Sequence, residues 1–280
     1  MEPKVKSARI SLLIIIIACI LYLSIHAAEY TKITKDNNEV LRSYVSNSQE
    51  EVNPTIMDEI KSITGDLDKT DQVAISKDYA HILLEKQSLK KIDHIGLKRM
   101  NEEYLGWIDI PGTLISYPIL YPADNTFYLT HNFKREKSKG GAIFIDANID
   151  NPLGTSNLII HGHNMKNGSM FGSLSAFRKI NYYNKHPFIY IYTENEVYIY
   201  QIFSAYVIAT SKVEQIYQNK IYTKEDADLF INESKKYSEI LTEVDASEDD
   251  KFMILSTCTN DSKSRFVVTA VKVKEITYEQ

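Results

Sequence analysis

The stretch Phe252-Met253-Ile254-Leu255-Ser256-Thr257-Cys258-Thr259-Asn260-Asp261-Ser262-Lys263-Ser264-Arg265-Phe266 carries the pattern on which the fold turns. The apolar run Phe252 to Thr257 reads as a strand that ends at Cys258. A polar loop from Thr259 to Ser264 follows, and Phe266 to Ile276 reads as the next and last strand. Joined in a hairpin, the two would set Cys258 and Arg265 side by side. Six further strands are predicted upstream: Tyr104 to Ile110, Ile115 to Leu120, Ala142 to Ile145, Asn157 to His161, Phe188 to Tyr192 and Glu196 to Ala209. Pro111-Gly112 and the stretch Ser138 to Gly141 supply turns. Eight short strands after Asn101 imply an all-β domain with helical additions, closed into an eight-stranded barrel because closure removes exposed edges.

Helices are few. Ile75, Tyr79, Ile82 and Leu83, continued by Leu89 and Ile92, mark a helical lead-in over 72–100, interrupted by Lys86. Lys77, Lys91 and Lys98 would fall on its opposite face, either for lipid contact or simply towards solvent. Thr223 to Glu239 is helical and lies between the sixth and seventh strands. Thr223 can cap it with Asp226 as capping-box partner, and Ala227, Phe230 and Ile231 form its apolar stripe. Asn125 to Thr130 suggests one helical turn and Ser169 to Phe177 a short helix.

The whole chain has 280 residues, 44% apolar and 25% charged, with a net charge of -5. That is a globular balance, and its acidic sign argues against a nucleic-acid binder. Two Cys exclude a disulfide scaffold and any Cys-rich zinc site. Ile10 to Ala28 is a run of 19 residues without Asp, Glu, Lys or Arg. As a helix it would extend about 28 Å, enough to cross a hydrocarbon core of about 30 Å. Lys4, Lys6 and Arg9 precede it and favour a cytoplasmic N-terminus over 1–9, although Lys32 and Lys35 lie beyond it. The alternative is a cleaved signal peptide. The apolar run exceeds an ordinary signal core and no clean cleavage site follows, so the expectation is an uncleaved single-pass anchor over 10–28. A polar extracellular spacer over 29–71 and a catalytic domain over 72–280 would follow, with the barrel at 101–280.

On that reading Cys19 lies in the bilayer and Cys258 is the only thiol outside. A lone external Cys is either a small buried hydrophobe or a reactive group. As a nucleophile it acts as thiolate, which needs a nearby base or positive charge. His163 stands just past a predicted strand end, and Arg265 follows Cys258 by seven residues. A guanidinium there could stabilise a thiolate or donate to a developing oxyanion. Each has a plainer alternative: His163 closing the loop Gly162 to Gly168, Arg265 paired with Asp261 on the surface. Asp261 could instead orient His163. His161 and His163 could form a metal pair, but no third ligand lies at tight spacing, so no metal is expected.

The segment Leu255-Ser256-Thr257-Cys258, followed by Arg265, resembles the Thr-Leu-x-Thr-Cys…Arg signature of sortases. Gly162-His163-Asn164-Met165-Lys166-Asn167-Gly168-Ser169-Met170-Phe171 resembles the histidine motif of class B sortases. Three further stretches resemble that class: Gly106-Trp107-Ile108-Asp109-Ile110-Pro111-Gly112-Thr113, Tyr128-Leu129-Thr130-His131-Asn132-Phe133 and Lys137-Ser138-Lys139-Gly140-Gly141-Ala142-Ile143-Phe144. The likeness spans roughly 72–276, and the anchor and inserted helix fit it. The chain departs from the pattern at Ile254, where the family usually has Thr, and at Asn260, where some relatives have Asp.

The resemblance implies a sortase barrel with Cys258 as nucleophile, His163 as acid/base and Arg265 as oxyanion or substrate stabiliser. Ser256, Thr257 and Asn164 would contact substrate, and no cofactor is implied. Partners would be surface proteins bearing a C-terminal sorting signal of Asn-Pro-x-Thr or Leu/Ser-Pro-x-Thr type, a peptidoglycan precursor amine, and the membrane. The rival readings are a sortase that polymerises pilins through a Lys amine, a hydrolytic cysteine peptidase using the same three residues, and a tethered ligand-binding barrel with an inert thiol.

Overall fold

The computed structural model describes residues 44–46, 80, 84, 88–217, 221, 223–244, 246–247, 249–258 and 263–278. All of them lie in the unit Leu41–Gln280. The expected anchor over 10–28, Lys77 and Asp261 lie outside the described residues. Among the described residues no helix is long and apolar enough to cross a membrane.

Eight strands close into one barrel. They are β1 (Tyr104–Asp109), β2 (Ser116–Leu120), β3 (Ile143–Ile145), β4 (Asn157–His161), β5 (Phe188–Tyr192), β6 (Glu196–Ala209), β7 (Phe252–Cys258) and β8 (Ser264–Thr277). Around the barrel the order is β8-β6-β5-β1-β2-β3-β4-β7, with β7 meeting β8 to close it. Neighbours are antiparallel except β2 with β3 and β4 with β7, which run parallel. The expected closed eight-stranded architecture is therefore the observed one. Closure leaves both neighbours of every strand occupied, so apolar residues fill the interior. Trp107, Ile108, Ile119, Ile159, Phe203, Leu255 and Val267 are all buried. The Trp107 indole N–H, which needs a partner once desolvated, donates to Ser116 Oγ at 3.1 Å. β6 and β8 have 14 residues each, and two register shifts in their ladder fall between Thr269 and Ala270 and between Lys272 and Lys274. Such irregularities bend long strands, as closure of a barrel requires.

The turn signals act as read. Gly112 has φ 75°, as a type II turn requires at its third position, and the Thr113 N–H donates to the Ile110 carbonyl at 3.1 Å. Helix α1 (His94–Met100) precedes the barrel, α2 (Ile180–Lys185) leads into β5, and α3 (Lys224–Tyr237) connects β6 to β7. α3 carries the expected capping box between Thr223 and Asp226. The reason for its placement lies in packing: Phe230 wedges its ring against Phe203 of β6 and Phe252 of β7, at centroid distances of 6.4 Å and 5.1 Å.

The lead-in differs from the expectation of helix over 72–100. Ala80 and Leu84 are helical, but Lys91–Ile92 is a short strand paired antiparallel with Val45–Ser46, a piece of the expected spacer. Helix resumes because the Asp93 carboxylate accepts the Gly96 N–H at 2.8 Å and starts α1 afresh. The six-residue α2 was also not foreseen, and Ser169 to Phe177 is partly a 3-10 helix over Gly172–Arg178.

Lys90 ties the lead-in to the barrel. Its ammonium donates to Asp109 Oδ1 at 2.5 Å and to Ser116 Oγ at 3.1 Å, and Asp109 is buried. Lys90→Met strands that carboxylate without its cation. Because Lys90 itself is partly solvated, the expected loss is about 2 kcal/mol in urea denaturation, with part of it recovered by adding Asp109→Asn. His94 is pushed down to about 4, because burial outweighs the favourable charge of Asp93. Its Nδ1 shares a hydrogen bond with the Tyr104 hydroxyl at 2.8 Å. The folded state then takes up this proton less readily than the unfolded chain, so stability declines as pH falls from 6.5 towards 4. His94→Phe should flatten that part of a denaturation series run across pH.

Candidate active site

Three strand ends meet on one rim. In the parallel ladder Ile160 faces Leu255 and His161 faces Ser256, and the Gly162 N–H extends it to the Ser256 carbonyl at 3.2 Å. His163 thus leaves β4 two positions past His161, as Cys258 stands two positions past Ser256 on β7. Across the antiparallel hairpin Cys258 is the direct partner of Arg265, a spacing of about 5 Å between backbones. Arg265 also faces Ile208 of β6. The strand register therefore brings the backbones of the three predicted residues to the same end of the barrel.

The His163 ring is oriented by a neighbouring loop. Its Nε2 lies 2.6 Å from the Leu129 carbonyl oxygen. A carbonyl can only accept, so Nε2 carries the hydrogen and Nδ1 is the basic nitrogen of the neutral ring. Leu129 closes a 3-10 turn, Phe127–Leu129, started by the Asp124 carboxylate, which accepts the N–H groups of Thr126 and Phe127. Behind it the Tyr128 hydroxyl donates to Glu103 and accepts from the Asn101 amide at 2.9 Å. Arg135 pairs with the same Glu103 carboxylate at 2.5 Å and stacks over Phe127. Gly141 completes the seat. Its φ is 58°, and a Cβ there would collide with the Tyr128 carbonyl and come within 3.0 Å of His163 Cδ2. On the far side the Phe171 N–H donates to the His163 carbonyl at 2.9 Å, and the Met170 N–H donates to the Tyr117 hydroxyl at 2.9 Å. Both ends of the histidine loop are thereby fastened to the barrel.

The expected substrate contacts fall in different surroundings. Ser256 is buried, and its hydroxyl hydrogen-bonds the Tyr217 hydroxyl. Thr257 points to the opposite face of β7 and is also buried, its Oγ1 without a hydrogen-bond partner among the described residues. Asn164 lies on the histidine loop, where its backbone bridges to Met170. The two histidines take separate partners, since His161 Nε2 meets Asp146 Oδ2 at 3.0 Å. Among the described residues no group of His, Cys, Asp and Glu is placed to hold a metal ion. The sequence reading did not assign roles to Leu129, Gly141, Tyr217 or Asp146. A backbone carbonyl leaves no mark in residue type, and Tyr217 lies in a connection without periodicity. The glycine pair Gly140-Gly141 was the one available signal.

Cys258, His163 and Arg265 thus stand at, or just past, the ends of three neighbouring strands of a closed eight-stranded barrel. The sortase-domain pattern matches residues 108–273. The chain is 29% identical to sortase B of Staphylococcus aureus over 239 residues, covering 84% of this chain and 90% of the relative. It is 34% identical to sortase B of Listeria monocytogenes over 177 residues, covering 61% of this chain and 70% of the relative. The crystal structure of Clostridium perfringens sortase B superposes with a TM-score of 0.61 at 34% identity, covering 64% of this chain and 99% of that one. The chain belongs to the sortase family, in its class B, and is a cysteine transpeptidase.

Gly141→Ala tests the seat of His163. The added methyl demands left-handed backbone and displaces either the Tyr128 carbonyl or the imidazole. A melting curve should show a loss of about 1–3 kcal/mol. Turnover of the folded fraction should fall by about tenfold or more, because the methyl displaces an imidazole at the rim where Cys258 also stands.

Proposed function

We propose that this enzyme is held to the outer membrane surface by residues 10–28. There it cleaves a C-terminal sorting signal of Asn-Pro-x-Thr or Leu/Ser-Pro-x-Thr type after Thr, and transfers the protein to an amine of the cell-wall peptidoglycan. Cys258 attacks the Thr carbonyl. The tetrahedral oxyanion is stabilised by Arg265 and by backbone N–H groups. His163 protonates the departing amine as the intermediate collapses to a thioester, and later takes the proton of the incoming amine. The bond to sulfur then breaks and a new amide forms.

The observation that carries this reading is the pairing of Cys258 with Arg265, with His163 delivered alongside by the parallel ladder. The hydrogen bond to Leu129 supports the role of His163, because it leaves Nδ1 able to exchange a proton. The anchor suits the chemistry, since a sorting-signal substrate and a membrane-bound wall precursor would meet at the same surface. Ser256, Thr257 and Asn164 are the proposed substrate contacts.

The test is turnover of a sorting-signal peptide with a supplied amine, read by mass spectrometry. Cys258→Ala should abolish both the thioester mass increment and the ligated product. Arg265→Lys keeps the charge and loses the fork geometry, so turnover should drop by about 10²–10³-fold with the melting temperature nearly unchanged. Full turnover in either variant contradicts the assignment. Free acid as the main product in excess amine would instead indicate a hydrolase, and preference for a pilin-like Lys peptide over wall peptides a pilin polymerase.

A further inference from the structure

We propose that Asp146 and His161 form a positioning pair that seats Tyr217 against Ser256, and that this seating sets the affinity of the cleft for the sorting signal. The inference rests on the reading of Cys258, His163 and Arg265 as the reacting centre and adds residues which that reading leaves unused.

Asp146 follows β3 directly and is buried. One carboxylate oxygen, Oδ1, is taken up by three donors: the Asn148 N–H at 2.9 Å, the Asn148 amide at 2.8 Å and the Asn125 amide at 3.1 Å. Asn125 is itself fixed, since its Oδ1 accepts the Ala147 N–H at 2.8 Å. The other oxygen, Oδ2, is left for His161 Nε2. Burial acts to raise the Asp146 carboxyl, but the hydrogen bonds from His161, Asn148 and Asn125 prevail and hold it well below the usual carboxylate range. The acceptor facing His161 is therefore a permanent anion at neutral pH.

The imidazole so anchored lies between two aromatic rings. Phe144 of β3 is 5.4 Å away and tilted by 42°, and Tyr217 is 5.6 Å away in an edge-on arrangement at 61°. Tyr217 belongs to no strand. It follows the 3-10 helix Thr210–Gln215, with its N–H bonded to the Val213 carbonyl at 3.0 Å. Its side chain meets the His161 edge, and its hydroxyl hydrogen-bonds Ser256. Ser256 is also the ladder partner of His161, so the three residues close a ring of contacts. That ring lies two positions behind Cys258, on the same face of β7. Ser256 is buried and Tyr217 half-buried, so of the two it is the phenol ring that borders the rim near Cys258, where an extended peptide would pass. Bound peptide would thus feel the seating of Tyr217, whereas the Cys258 thiol itself would not.

The experiment uses the full chain, the best-cleaved peptide of the Asn-Pro-x-Thr type, and iodoacetamide as a probe of the thiol. His161→Gln keeps a donor for Asp146 and removes the ring. Tyr217→Phe keeps the ring and removes the hydroxyl, and it changes no core residue. In each, KM should rise by about three- to tenfold, the worth of one ring contact or one hydrogen bond. The kcat and the alkylation rate of Cys258 should stay within about twofold. The double variant should be little worse than the weaker single, because both act on one seating. A folded His161→Gln enzyme with wild-type KM overturns the inference. So does a parallel fall of kcat, KM and alkylation that tracks the melting temperature, the mark of a structural role. If the wild-type enzyme turns over no sorting-signal peptide, the proposed function falls and this inference falls with it.

Discussion

The register of β7 between its two neighbours is the constraint from which the rest follows. On one side it runs parallel to β4, and on the other antiparallel to β8. A parallel pair cannot be joined by a tight turn, so β4 and β7 are far apart in sequence. That separation lets a mid-chain histidine stand next to a cysteine near the C-terminus. A slip of one residue would turn Ser256 and Cys258 to the other face and present Thr257 instead. The apolar residues guard against it: Leu158, Ile159 and Ile160 on β4 and Met253, Ile254 and Leu255 on β7 are all buried, so neither strand can shift without exposing or colliding core side chains.

Upon this frame the loops perform the finer placement. The turn that offers the Leu129 carbonyl to His163 is held by Glu103, which collects both the Tyr128 hydroxyl and the Arg135 guanidinium. Arg135 adopts φ 64°, an uncommon backbone for a residue with a Cβ. Its ion pair and its contact with Phe127 offset that cost locally. The imidazole tautomer is thus determined by the Leu129 carbonyl and by the network that holds its turn in place. Lys90 plays a similar part on the lead-in, joining a segment before the barrel to Asp109 and Ser116.

Much of this was legible in the sequence where the signal is periodic or local. Alternation and turn residues disclosed all eight strands, and Phe252 to Arg265 disclosed the hairpin that pairs Cys258 with Arg265. Thr223 and Asp226 announced the capping box of α3. The parallel pairing of β4 with β7 was not legible, because partner choice between distant strands depends on three-dimensional closure. The strand at Lys91–Ile92 was hidden because two residues are too few to show a period, and its partner Val45–Ser46 sits in a polar stretch. The seats of His163 and Tyr217 were hidden for another reason: they are built from a backbone carbonyl, a missing Cβ and an Asp–His pair assembled from two strand ends.

The most direct measurement of the central claim is the identity of the acylated residue. The full chain would be mixed with a sorting-signal peptide in the absence of amine, quenched in acid and fragmented for mass spectrometry. Convergence of β4, β7 and β8 on one reacting centre predicts a single thioester adduct, of the mass left after cleavage behind Thr, on the fragment containing Cys258. A peptide cleaved without any adduct, or an adduct on a different residue, would contradict it.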